Sequence, residues 1–138
     1  MGLILDTSAL IVWERAQAKG ERVDMSPDEL ISIPAIVWAE ALIGVRLAAT
    51  PRQAAQRRAR LEALRSVTQL IPFTPDIAEH YADIYSELSC AGTPIPQNDM
   101  AVAATARSMG YGVLVGASDE QHYRCVQGLH VHVLTFVA

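Results

Sequence analysis

The sequence predicts an α/β sandwich built around a largely parallel sheet. Two observations carry that expectation. Short apolar runs that suit strands alternate along the chain with segments of helical periodicity, a pattern that packs helices against parallel strands. No internal repeat, low-complexity tract or interdomain linker interrupts the alternation, so residues 1–138 are expected to form one domain.

Taken in order, Leu3-Ile4-Leu5 reads as a brief buried strand that stops at Asp6. A helix follows from Ser8 to about Lys19 and ends at Gly20. Ser26-Pro27-Asp28-Glu29 carries helix-start signals, but it opens only a turn or so before a strand around Ile31 to Ile33. Pro34 begins a helix running to about Ala49. Thr50-Pro51 breaks it and starts another, from Arg52 to about Val67, so the pair forms a helical arm around 35–67. Gln69 to Phe73 is a strand, and Thr74-Pro75-Asp76 caps a helix reaching Ala91-Gly92. The loop from Thr93 to Gln97 leads to a small-residue helix, Asn98 to Met109, closed by Gly110. Gly112 to Val115 and Val131 to Phe136 are the last strands.

Composition narrows the function classes. Hydrophobic residues make up 51% and charged residues 19%, which suits a packed globular core. No apolar run is long enough to cross a bilayer, and the first residues lack the basic flank of a signal peptide. Two cysteines without CxxC spacing suit a reducing cytoplasm. The net charge of −4 argues mildly against nucleic acid, yet its distribution is uneven. Six of the eleven basic residues, Arg46, Arg52, Arg57, Arg58, Arg60 and Arg65, fall in a segment with one acid, Glu62. That segment reads equally well as an RNA-contacting surface and as a solvated or partner-docking face.

Four carboxylates interrupt apolar settings. Asp6 follows the first strand, and open α/β sheets place their sites at the carboxyl ends of strands. Asp119 follows the Gly112–Val115 strand closely enough to reach the same edge. Glu40 lies within Ala35-Ile36-Val37-Trp38-Ala39-Glu40-Ala41-Leu42-Ile43, where an unpaired carboxylate is costly to bury. Asp99 opens a helix of small and apolar residues. Each has a plain alternative: a helix cap for Asp6, a wet helix face for Glu40, a helix-dipole partner for Asp99. Jointly they can converge, and carboxylates about 4 Å apart repel by roughly 1–4 kcal/mol per pair. A divalent cation offsets that repulsion, and an all-oxygen site selects Mg²⁺ or Mn²⁺ over zinc.

The motifs also resemble those of a known family. Leu3-Ile4-Leu5-Asp6-Thr7-Ser8-Ala9-Leu10 resembles the opening strand and Asp-Thr-Ser of PIN domains. The stretch from Ile33 to Val45, centred on Glu40, resembles their second motif, and Ile95 to Ala106, containing Asp99, the third. Val113-Leu114-Val115, Asp119-Glu120-Gln121-His122-Tyr123 and Gly128-Leu129-His130-Val131 resemble the C-terminal stretch of VapC-type toxins. The resemblance runs along essentially the whole chain, in order. It implies a flavodoxin-like three-layer α/β/α sandwich and an endoribonuclease dependent on Mg²⁺ or Mn²⁺. It further implies single-stranded or looped RNA as substrate, a cognate antitoxin as inhibitor, and a homodimer.

Carried over by position, Asp6, Glu40, Asp99 and Asp119 match the family's acidic quartet. Asp6, Asp99 and Asp119 would be the metal ligands, with Ser8 supporting Asp6. The family commonly has a threonine two residues before the fourth acid, where this chain has Ala117. Ser118 can supply the hydroxyl instead, in which case Glu120 replaces Asp119; both registers stay open. For His122, a surface or phosphate-contacting imidazole outweighs a proton shuttle. Trp13 and Trp38 read as core or dimer contacts, and Cys125 as a buried thiol.

Other classes fit less well. Haloacid-dehalogenase-like phosphatases need Asp-x-Asp after the first strand, and this chain has Asp6-Thr7-Ser8. Phospho-receiver domains need a late lysine, and the only lysine is Lys19. A degenerate PIN domain that binds RNA or protein without cutting is the remaining alternative, disfavoured because all four acid positions are filled.

Overall fold

The computed structural model describes residues 2–137. Among them the strands are β1 (Leu3–Leu5), β2 (Ile31–Pro34), β3 (Gln69–Ile71), β4 (Gly112–Val115) and β5 (Val131–Val133). The helices are α1 (Thr7–Lys19), α2 (Ala35–Arg46), α3 (Pro51–Ser66), α4 (Pro75–Ala91), α5 (Gln97–Met109) and α6 (Glu120–Arg124). The strands form one sheet in the order β3-β2-β1-β4-β5, and every pairing is parallel.

Burial explains the layering. Successive strand residues face opposite sides, yet every residue of β1, β2 and β4 is buried, so helices cover both faces of the central strands. The edge strands β3 and β5 are partly exposed. The chain runs from β1 outward to β3, then crosses back to β4 on the other side of β1. That reversal makes the carboxyl ends of β1 and β4 a switch point, where open α/β sheets bind ligands. Helix α5 packs on β1 and β4, and α1 also meets β4, so the elements nearest the crevice carry Asp6 and Asp99.

Local signals account for most boundaries. Thr50 and Thr74 cap α3 and α4 by accepting from the Gln53 and Ile77 N–H groups, with proline next in line at each start. Gly110 ends α5 at φ 67°, a left-handed conformation that glycine adopts without penalty.

Four expectations are corrected. The helix read to Ala49 ends at Arg46, because the Leu47 and Ala48 N–H groups close the last turn on Ile43 and Val45. The third strand stops at Ile71 rather than Phe73: Pro34 of β2 pairs with Ile71, and Pro72 beyond it has no N–H to extend the ladder. The last strand ends at Val133, and Phe136 instead bridges antiparallel to Val23. The stretch after β4, read as a loop, is a 3-10 turn (Ala117–Asp119) running into α6. Ser26 does open only a single turn, with Glu29 N–H on the Ser26 carbonyl.

Candidate metal centre

Asp6 sits where β1 becomes α1 and is 1% exposed. Its Oδ1 accepts from the Ala9 N–H at 2.8 Å, so it caps α1. The Ser8 hydroxyl donates across both carboxylate oxygens, at 2.8 and 2.9 Å, and itself accepts from the Gly116 N–H at 3.0 Å. Ser8 therefore ties the end of β4 to the acid after β1. Gly116 permits that approach, since a Cβ there would lie 3.1 Å from Ser8 Oγ.

Burial pushes the Asp6 carboxyl up to about 6, against the pull of Ala9 and Ser8, and the charges of Asp119 and Asp99 add to the rise. The folded state thus holds this proton more tightly than the unfolded chain. The stability tied to it is full below about pH 4 and is lost as pH rises through about 6, roughly 3 kcal/mol in all. Asp6→Asn keeps a capping oxygen and removes the ionisation. In EDTA, its unfolding free energy in urea is expected to gain on the wild type between about pH 4 and 7, by up to about 3 kcal/mol. A difference that does not change with pH would refute this account.

Glu40 is half-buried on α2, and the Thr7 hydroxyl donates to its Oε1 at 2.7 Å. The residue beside Asp6 thus fixes the second acid. Asp99, in the first turn of α5, accepts from His122 Nδ1 at 2.6 Å. Burial raises the Asp99 carboxyl above its ordinary range; the His122 bond opposes this, while Asp119 and Glu40 add to the rise. Asp99, Asp119 and His122 each offer a ligand atom, and these atoms lie within 4.8 Å of one another. Glu120 points elsewhere in its bonding: its carboxylate takes two hydrogen bonds from Arg124, at 2.9 and 3.1 Å. Ser118 is exposed. Tyr123, one turn on, is fully buried, and its hydroxyl has no hydrogen-bond partner among the described residues.

Among the described residues only Asp99, Asp119 and His122 bring ligand atoms close enough to share one ion; Asp6 lies near enough to feel the charges of Asp99 and Asp119, and Glu40 near enough to bear on Asp99. Two carboxylates and an imidazole, with the Asp6 carboxyl beside them, fit a divalent cation, which lowers the mutual repulsion of the acids.

Comparison with known proteins decides the family. A family model described as PIN domain matches residues 3–126. The chain is 32% identical over 131 residues to Ribonuclease VapC1 of Rickettsia felis, covering 95% of both chains. The chain belongs to the PIN-domain family, among its VapC ribonucleases. Its structure resembles that of VapBC-5 from Mycobacterium tuberculosis, with a TM-score of 0.73 and 27% identity over 96% of each chain. It also shares its fold with VapBC2 from Rickettsia felis bound to a promoter DNA fragment, with a TM-score of 0.77 and 18% identity. That alignment covers 98% of this chain and 100% of the other.

Within this PIN domain, sequence reasoning underweighted two residues. His122 reaches Asp99, and Tyr123 turns inward; the signal was their place on α6, whose helical spacing was not read. Cys125, expected to be buried, is exposed, with its thiol on the Gln121 carbonyl. Trp38 is a core residue with Arg65 stacked over its ring at 5.2 Å. The arginine segment also changes meaning. Arg57 donates to the Gly44 carbonyl, Arg58 pairs with Glu62, and Arg60 pairs with buried Glu14 at 2.7 Å. With Arg65 on Trp38, four of the six hold α3 together or fasten it to α1 and α2, and Arg46 and Arg52 stand exposed.

Proposed function

We propose that this PIN domain is a metal-dependent endoribonuclease, the toxin half of a toxin–antitoxin pair, that cuts single-stranded or looped RNA. The observation that supports the reading is the group of Asp99, Asp119 and His122 at the switch point of a PIN fold, with Asp6 and Glu40 beside it. The name of the relative, Ribonuclease VapC1, supports RNA as the substrate. The likeness to VapBC-5, a member of the VapBC family of toxin-antitoxin systems, supports a cognate antitoxin as partner.

Asp6, Asp99 and Asp119 are the residues to hold Mg²⁺ or Mn²⁺. When bound, such an ion neutralises charge at a phosphodiester and lowers the pKa of water. Ser8 keeps Asp6 aimed at the crevice. Thr7 holds Glu40 by one oxygen, leaving the other to take a proton from attacking water. His122 holds Asp99 in place at the rim of the site. Ser118, on the exposed 3-10 turn, is a contact for the incoming ion or backbone. A homodimer in the cytoplasm completes the proposal; no helix of the described residues is long and apolar enough to cross a membrane.

The test is cleavage of a single-stranded RNA by the purified protein with Mg²⁺ or Mn²⁺, and its loss in EDTA. Binding without cleavage would mark a degenerate PIN domain; full cleavage in EDTA would refute the metal. Growth arrest on expression, relieved by co-expressing a cognate antitoxin, tests the toxin role. The fourth acid is tested by an isosteric pair. Asp119→Asn should cost at least about tenfold in rate, roughly 1.4 kcal/mol. Glu120→Gln should cost much less, because that carboxylate is engaged with Arg124. The reverse ranking would move the site to Glu120.

A further inference from the structure

Tyr123 is out of keeping with its surroundings. It is the largest fully buried side chain, with a relative exposure of 0%. Its hydroxyl nonetheless lacks a hydrogen-bond partner among the described residues, whereas buried polar groups are almost always paired. A phenylalanine would fill the same space without that penalty. Burial raises the phenol's proton affinity most, and the charges of Asp6, Asp99 and Asp119 and the approach of the hydroxyl to the Asp6 carboxyl add to it, so the hydroxyl faces Asp6 without meeting hydrogen-bond geometry.

Asp6 has room for it. A carboxylate offers about four lone-pair sites. Oδ1 already takes the Ala9 N–H, and the single Ser8 hydrogen is shared between the two oxygens, so Oδ2 is the less satisfied. Asp6 cannot turn away to find another donor, because its cap on α1 holds it from the far side.

We propose that Tyr123 is a positioning residue: its phenol donates to Asp6 Oδ2 when the site takes up a divalent cation, locking the carboxylate in its ligating orientation. The inference rests on the metal-dependent reading above. Glu40, Asp99 and Asp119 approach the site from α2, α5 and the 3-10 turn, and each has a single tether or none. Asp6 alone is braced by a backbone N–H, a serine and, in the loaded state, this phenol. Groups that orient a metal ligand typically alter affinity by 10- to 100-fold on removal.

Tyr123→Phe removes only the hydroxyl. The experiment follows Mn²⁺ binding by the resonance of the free ion in wild type and variant, and urea unfolding of both in EDTA. It also records the near-ultraviolet tyrosine spectrum of the wild type as Mg²⁺ is added. The expected result is Mn²⁺ affinity reduced about tenfold, a metal-free urea midpoint unchanged or raised, and a Mg²⁺-induced tyrosine signal in the wild type. An affinity within about twofold of wild type overturns the proposal and leaves the metal site standing. Loss of affinity in step with metal-free stability overturns it too, because that marks a packing role. If the variant does not fold, the wild-type spectrum decides: no tyrosine change on saturation with Mg²⁺ overturns it. A wild type that binds no Mn²⁺ yet cleaves RNA overturns the metal reading and this proposal together.

Discussion

Replacing Asp99 by asparagine is expected to lower RNA cleavage at least a hundredfold, about 2.7 kcal/mol of transition-state stabilisation, while the protein stays folded. The volume is unchanged and the charge is gone. Asp99 stands at the centre of the acidic group: its carboxylate bonds His122 and shares a space under 4.8 Å across with Asp119. Without that charge a divalent cation loses one of its proposed ligands, and His122 loses the partner that fixes its ring. Stability should hold or rise, because burial and the neighbouring acids raise the Asp99 carboxyl above its ordinary range, so its ionised form is strained in the folded state. Single-turnover cleavage of a defined RNA, with circular dichroism as the folding control, checks both halves. Cleavage within about threefold of wild type would remove Asp99 from the chemistry, since losing even a group that orients a metal ligand typically costs about 10- to 100-fold.

Arg60→Ala should be the most destabilising of the arginine truncations on the helical arm, by about 3 kcal/mol. Arg60 reaches from α3 to Glu14 on α1, whose side chain is 6% exposed, while its own is 32% exposed. Truncation strands a carboxylate between α1 and α3 with no cation to meet it, which is why breaking one side of a buried pair costs more than replacing both. The double substitution Glu14→Met with Arg60→Met should therefore recover most of the loss. Urea unfolding of the single and double variants forms the cycle that measures it. If Arg60→Ala unfolds at the wild-type midpoint, the pair contributes little and the arm is held by Leu61 and Leu64 alone. The same result bears on RNA binding. Neutralising Arg57 and Arg60 would loosen α3, so phosphate contacts are better sought by substituting the exposed Arg46 and Arg52 and measuring the salt slope.

Most of the architecture is legible in the residues alone, because the signals for it are local. Leu3-Ile4-Leu5 before Asp6, the Thr-Pro caps at 50–51 and 74–75 and the glycines at 20, 92 and 110 set element ends through neighbours a few residues away. Alternating strands and helices then leave few topologies open, and the parallel sheet follows. The same locality puts Asp6 at a strand end and Asp99 in a helix's first turn before any contact is known.

What only the tertiary structure decided lies in pairs far apart in the chain. The roles of Arg57 and Arg60 depend on Gly44 and Glu14, 13 and 46 residues away, and a charge run looks the same whether it faces solvent or a buried acid. The bond between His122 and Asp99 spans 23 residues, and that between Ser8 and Gly116 spans 108. The different partners of the acids at 119 and 120 follow from α6, too short for its periodicity to stand out, which sends Glu120 to Arg124 and Tyr123 into the core. Periodicity reports which face of an element is apolar. It carries no information on which polar atom across the crevice will meet it, because that distance is set by the packing of the whole sheet.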